Sequence, residues 1–139
     1  MRKDHRLSRA LHVLIHMDKI RGHVTSEDIA LMINTNPVVV RRLFQGLKQA
    51  RIIHSEKGHG GGWILQKPLG DITLLDVFLA IGCTELFSIG WVTEHEKCMI
   101  EDAVNTEISD TFAEARRLIT DRFAELTLDR LMPKEIKHQ

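Results

Sequence analysis

A chain of 139 residues, 43% apolar and 27% charged, with a mean hydropathy of -0.13, has the length of one ordinary domain, or of a small domain with an accessory element. It can bury roughly two-thirds of its unfolded surface. That excludes a large enzyme scaffold, a fibre and a disordered chain. Net charge is zero, but residues 1 to 66 hold 11 Lys/Arg against 5 Asp/Glu while residues 67 to 139 hold 8 against 14. One half can therefore attract a polyanion that the other repels.

The first predicted element is an amphipathic helix in which Leu7, Ala10, Leu11, Leu14 and Met17 share a face and Arg9, His12 and His16 lie opposite. It stops between Asp18 and Gly22. Thr25 with Asp28 three residues later reads as a capping box opening a short second helix through Ile29, Ala30, Met32 and Ile33. Asn34-Thr35-Asn36-Pro37 is then a turn, with Asn36 placed to cap a third helix and Pro37 at its first position, where a missing N–H costs nothing.

In that third helix Val40, Leu43, Phe44 and Leu47 point inward, which leaves Val38, Arg41, Arg42, Gln45, Lys48 and Gln49 outside. The outer set holds three cations and two amides and no acid. Arg and Gln reach base edges, and an exposed valine suits a thymine methyl, so the face is chemically fitted to duplex DNA. Two short β-rich runs, Ile52–Glu56 and Trp63–Gln66, surround Lys57-Gly58-His59-Gly60-Gly61-Gly62, a hairpin signal in which glycine permits positive φ and close backbone approach. The fold class expected is mainly α with a small β-hairpin, a winged helix-turn-helix.

Thr73 and Asp76 form a second capping box, opening a helix through Val77, Phe78 and Ile81. Residues 82 to 97 read as a loop. From Cys98 a long helical pattern runs through Ile100, Val104, Ile108, Phe112, Ala115, Leu118, Ile119, Phe123 and Leu126, and a short terminal turn restarts at Thr127. So much apolar surface on one helix predicts a homodimer. The division expected is residues 1–81 as the DNA-binding unit with its wing at about 52–66, residues 82–97 as a loop and sensor segment, and residues 98–139 as the dimerisation helix and tail.

The order of parts, together with Ser55–Trp63 as wing and Ile72-Thr73-Leu74-Leu75-Asp76-Val77 behind it, resembles the bacterial transcription regulators of the Rrf-two family, of the IscR, NsrR and CymR type, over essentially the whole chain. The resemblance implies a dimeric winged-helix regulator, its dimer formed by the long C-terminal helices, many relatives sensing iron–sulfur status, nitric oxide or cysteine metabolism. It places Val38, Arg41, Arg42 and Gln45 on the recognition helix and Lys57, Gly58 and His59 at the wing tip, beside which Lys48 and Gly60 are further DNA-contact candidates. Cluster-binding relatives carry three closely spaced cysteines before the long helix, and here only Cys98 matches that set, Cys83 lying too early.

Three readings of the sensor stay open. Cys98, His12 and Glu101, with or without Cys83, compose a mixed iron or zinc site. Alternatively Cys98, at a helix start, is an oxidisable thiol. In the favoured reading the histidines are surface polar groups, Cys83 is a packing residue, and no cofactor is held.

The partners expected are double-stranded DNA with a palindromic operator and a second copy of the chain. No membrane partner is expected, because His12, His16 and Asp76 cut every apolar stretch well short of the ~20 residues of a span. Two cysteines and no apolar leader behind Met1 point to a reducing, cytoplasmic location. A winged-helix adapter that binds protein instead of DNA is the rival function. An enzyme is not expected: His59-Gly60-Gly61-Gly62 imitates an oxyanion loop, but no Gly-x-Ser-x-Gly elbow accompanies it, and a cysteine hydrolase using Cys83 or Cys98 with His95 lacks an orienting third group.

Overall fold

The computed structural model describes residues 3–58, 60–83, 86, 90–94 and 97–134. Helix α1 (Arg6–Ile20) closes at Arg21, whose left-handed backbone turns its N–H onto the Met17 carbonyl. Its buried face is Ala10, Val13, Leu14 and Met17, with Leu7 and Leu11 only partly covered. This differs from the sequence expectation. At 100° per residue those four positions fall within one arc of about 100°, and Leu7 and Leu11 lie beyond its edge.

Helix α2 (Ser26–Met32) begins with the predicted capping box: Asp28 N–H donates to Thr25 Oγ1 at 3.1 Å and Thr25 N–H donates to Asp28 Oδ2 at 3.3 Å. Helix α3 (Pro37–Gln49) starts on Asn36, whose side-chain oxygen accepts from Val39 N–H at 3.1 Å. Val40, Leu43, Phe44 and Leu47 are all buried, as their spacing predicts. Helix α4 (Leu74–Ala80) repeats the capping box with Thr73 and Asp76. At Gly46 the α3 backbone lies so close to α4 that an added Cβ would run into the Ala80 carbonyl oxygen.

Strands β1 (Ile53–Glu56) and β2 (Gly62–Leu65) pair antiparallel, Ile53 opposite Leu65 and Glu56 opposite Gly62. Val24, in the α1–α2 connection, adds one further bridge to this hairpin: Trp63 N–H donates to the Val24 carbonyl at 2.8 Å and Val24 N–H returns the bond at 3.0 Å. Gly62 is required there, since its φ is +151° and a Cβ would sit 2.7 Å from the Val24 carbonyl oxygen.

Helix α5 (Met99–Glu125) is capped by Cys98, whose Sγ accepts the Glu101 N–H at 3.5 Å. The chain then returns to the first core. Thr127 bridges Thr73, and Leu128, with no exposed surface, joins a single cluster that includes Leu14, Phe44, Ile72 and Val77. The result is a mainly helical winged helix-turn-helix with one small hairpin, and among the described residues no helix is long and apolar enough to cross a membrane.

Candidate nucleic-acid interface

Because α3 buries one face completely, its other face must be open. Val38 is 55% exposed, and Arg41, Arg42, Gln45, Lys48 and Gln49 are exposed with it. The helix divides this surface into a centre of Val38, Gln45 and Gln49 and two basic flanks, Arg41 with Lys48 on one side and Arg42 on the other. The α2 residue Glu27 reaches the first flank, its Oε1 3.4 Å from Arg41 Nη2. Sequence periodicity had shown a face free of acid, and Glu27 is brought there only by the turn between α2 and α3. Both side chains are well exposed, so the pair adds little stability and yields to a stronger anion.

The wing carries Lys57, Gly58 and Gly60, all exposed, and nothing lies within 4 Å of where a Cβ would stand on either glycine. His59 lies outside the described residues. Besides the backbone bridge to Val24, the Trp63 side chain ties the wing to the helices. Its indole N–H donates to Ser26 Oγ at 3.1 Å, and its ring meets Phe44 edge-on, with centroids 5.2 Å apart at 90°. Ser26 is thereby satisfied in a buried position. At the wing base Glu56 accepts from His23 at 2.7 Å and contacts His54 at 3.3 Å. Hydrogen bonds from His54 and His23 hold its carboxyl below the usual range. None of Trp63, Ser26, Glu27 and His23 was picked out as a site residue from sequence.

The sensor candidates are scattered within one chain. His12 is exposed on α1 and packs its ring against His16 at 4.7 Å. Burial, with the nearby charges of His12 and Lys19, pushes His16 down from its ordinary value. Cys83 is buried, and burial raises its thiol despite the opposing pull of Arg6. Cys98 is partly exposed at the start of α5 with Glu101 one turn on. Among the described residues no three His, Cys, Asp or Glu side chains converge where they could hold a metal ion.

Helix α5 buries no residue over 27 positions. Phe123 meets Phe78 of α4 at 5.7 Å and Phe112 meets Trp91 at 6.3 Å. Elsewhere Ile100, Val104 and Leu118 stand 77%, 51% and 73% exposed. Eighteen residues make five turns, so Leu118 lies directly in line with Ile100, and the three lie along one stripe that Glu107 and Thr111 interrupt.

Residues 4–134 match the Rrf2 family, described as an iron-dependent transcriptional regulator. A Bacillus subtilis protein named as the HTH-type transcriptional regulator YwnA is 34% identical over 129 residues, covering 91% of this chain and 94% of its own. A crystal structure described as that of a DNA binding protein superposes with a TM-score of 0.74 at 32% identity, over 92% of this chain and 99% of that one. The fold is also that of CymR, described as the global cysteine regulator of B. subtilis, with a TM-score of 0.67 at 17% identity over 94% and 95% of the two chains. The family description names iron, and the described residues do not fit it within one chain. The sequence supplies two thiols, one buried with its thiol pushed toward the protonated form and the other a helix cap, and among the described residues no third donor joins either.

Proposed function

This chain belongs to the Rrf2 family of transcriptional regulators, and we propose that it acts in the cytoplasm as a homodimeric repressor of a roughly palindromic DNA site. The observation that carries the reading is the exposed α3 face, amide and valine at its centre and cations on both flanks, beside a glycine-rich wing that carries Lys57. In this reading α3 lies in the major groove, Gln45 reads a base edge, Val38 meets a thymine methyl, and Arg42, Lys48 and Lys57 engage phosphates. Residues 1–81, with Leu128 packed back into their core, make the DNA-binding unit and α5 of the 98–139 segment makes the dimer, the two joined by residues 82–97. The Ile100, Val104 and Leu118 stripe supports a second copy as the partner of α5, and two-fold symmetry then calls for paired half-sites.

Selection of tight-binding duplexes from a random pool, followed by titration, tests the proposal. Arg42→Glu with Lys48→Glu abolishes binding, whereas Gln45→Ala relaxes preference at one base position by about 1–3 kcal/mol and leaves other positions unchanged. Wild-type protein that selects no sequence, with a charge-reversed variant that behaves identically, would assign the winged helix to a protein partner instead.

A further inference from the structure

A cavity of about 320 Å³ opens between the start of α1, the Arg42 flank of α3 and the end of α4, lined by Arg6, Arg9, Val39, Arg42, Leu43 and Ile81. Three arginines meet there over an apolar floor, and their states differ. Arg6 is committed: it pairs with Asp4 at 2.7 Å and donates to the Ile81 carbonyl at 3.1 Å, 75 residues away in sequence. That bond covers the negative end of α4, which would otherwise repel an anion from the cavity. Among the described residues the guanidiniums of Arg9 and Arg42 have no acidic or hydrogen-bonding partner. The site therefore presents, among the described residues, two unspent planar cations against a floor made by Val39, Leu43 and Ile81.

We propose that this cavity binds a small organic anion, a carboxylate with an apolar body, and that its occupant draws Arg42 away from the DNA-facing surface. The volume lies at the lower end of small-ligand pockets, which are mostly apolar with a few placed polar groups. A guanidinium accepts a carboxylate through two parallel hydrogen bonds. A backbone phosphate uses the cations but has no apolar part to cover the floor. Arg42 belongs to both surfaces, so occupancy of the cavity and engagement of DNA compete for one side chain. The competition rests on the DNA-binding reading above, while binding to the cavity does not.

The test is an NMR titration of the full-length protein without DNA, using benzoate, its neutral analogue benzyl alcohol, and inorganic phosphate. Benzoate is expected to shift the amides of Arg9, Val39, Leu43 and Ile81 saturably, and benzyl alcohol and phosphate to bind at least about tenfold more weakly. Arg9→Met and Arg42→Met each weaken benzoate about tenfold, while Lys19→Met, elsewhere on α1, leaves it unchanged. An absence of saturable shifts, or shifts that phosphate reproduces across the whole basic surface, overturns the site. In a second arm saturating benzoate weakens DNA binding at least fivefold relative to chloride at equal ionic strength. Unchanged DNA affinity with benzoate bound overturns the competition, and a protein that binds benzoate but no DNA separates failure of the DNA reading from failure of the cavity.

Discussion

Replacing Trp63 by Phe isolates one side-chain contact between the wing and the helix-turn-helix, leaving the backbone bridge to Val24 in place. The variant keeps an aromatic ring against Phe44, whose edge-on partner stands 5.2 Å away, and removes the N–H that donates to Ser26 Oγ at 3.1 Å. Ser26 is only 9% exposed, so water does not readily replace the donor. A net hydrogen bond of ~0.5–1.5 kcal/mol plus part of the cost of a stranded buried hydroxyl gives a destabilisation of about 1–2 kcal/mol. In a chain of this size that lowers Tm by about 3–6 °C. Chemical denaturation of Trp63→Phe, Ser26→Ala and the double variant provides the assay, with an expected coupling of about 1 kcal/mol between the two sites. DNA affinity falls modestly as well, because the wing keeps its backbone bridge to Val24 but loses one side-chain tether, and the salt dependence of binding is unchanged because no cation is removed. Strictly additive losses, or a Trp63→Phe protein as stable as wild type, would refute this account of how the wing is held.

Leu118→Glu puts a charge at the C-terminal end of the apolar stripe of α5, and light scattering should then report one 15.9 kDa chain where the wild type shows two; a monomeric wild type contradicts the assignment of α5. Gly46→Ala drives a Cβ into the Ala80 carbonyl, a backbone atom that cannot rotate aside, and should cost about 1–3 kcal/mol in denaturation, against less than about 0.5 for Gln49→Ala on the exposed face. Asp4 is held down from 3.8 to about 2, first by the side-chain hydrogen bond from Arg6. Its contribution to stability is complete above pH 3.8 and is lost as pH falls toward 2, so its carboxyl carbon should titrate near 2 by NMR and return toward 3.8 in Arg6→Met.

Elements governed by neighbours in sequence were legible. The Thr25 and Thr73 capping boxes, the Asn36 cap and the buried face of α3 all follow from spacings of three or four residues, and each stands where periodicity puts it. Features made by distant chain segments were not. A tryptophan after a glycine run signals a strand but does not name Ser26 as its partner, 37 residues earlier. Leu128 read as part of a terminal turn, and its place in the core depends on the path of a 27-residue helix. A helical period anchored on Leu7 passes over Val13, because Leu7 lies at the edge of the buried face of α1. Arg9 reads as polar surface, and its meeting with Arg42 across a cavity depends on α1 and α3 both packing against α4.

The central claim is that the α3 face and the wing are built for a polyanion read by sequence, and the salt dependence of binding tests it most directly. Fluorescence anisotropy with a selected duplex, measured between 50 and 200 mM salt, should give log K falling linearly with log salt at about -0.9 per phosphate neutralised. With Arg42, Lys48 and Lys57 as the phosphate-directed cations of each protomer, the account expects a slope of about -5 for the dimer, reduced by about 2 in Lys57→Ala at every sequence tested. A flat response, or a Lys57→Ala slope equal to that of the wild type, would contradict it.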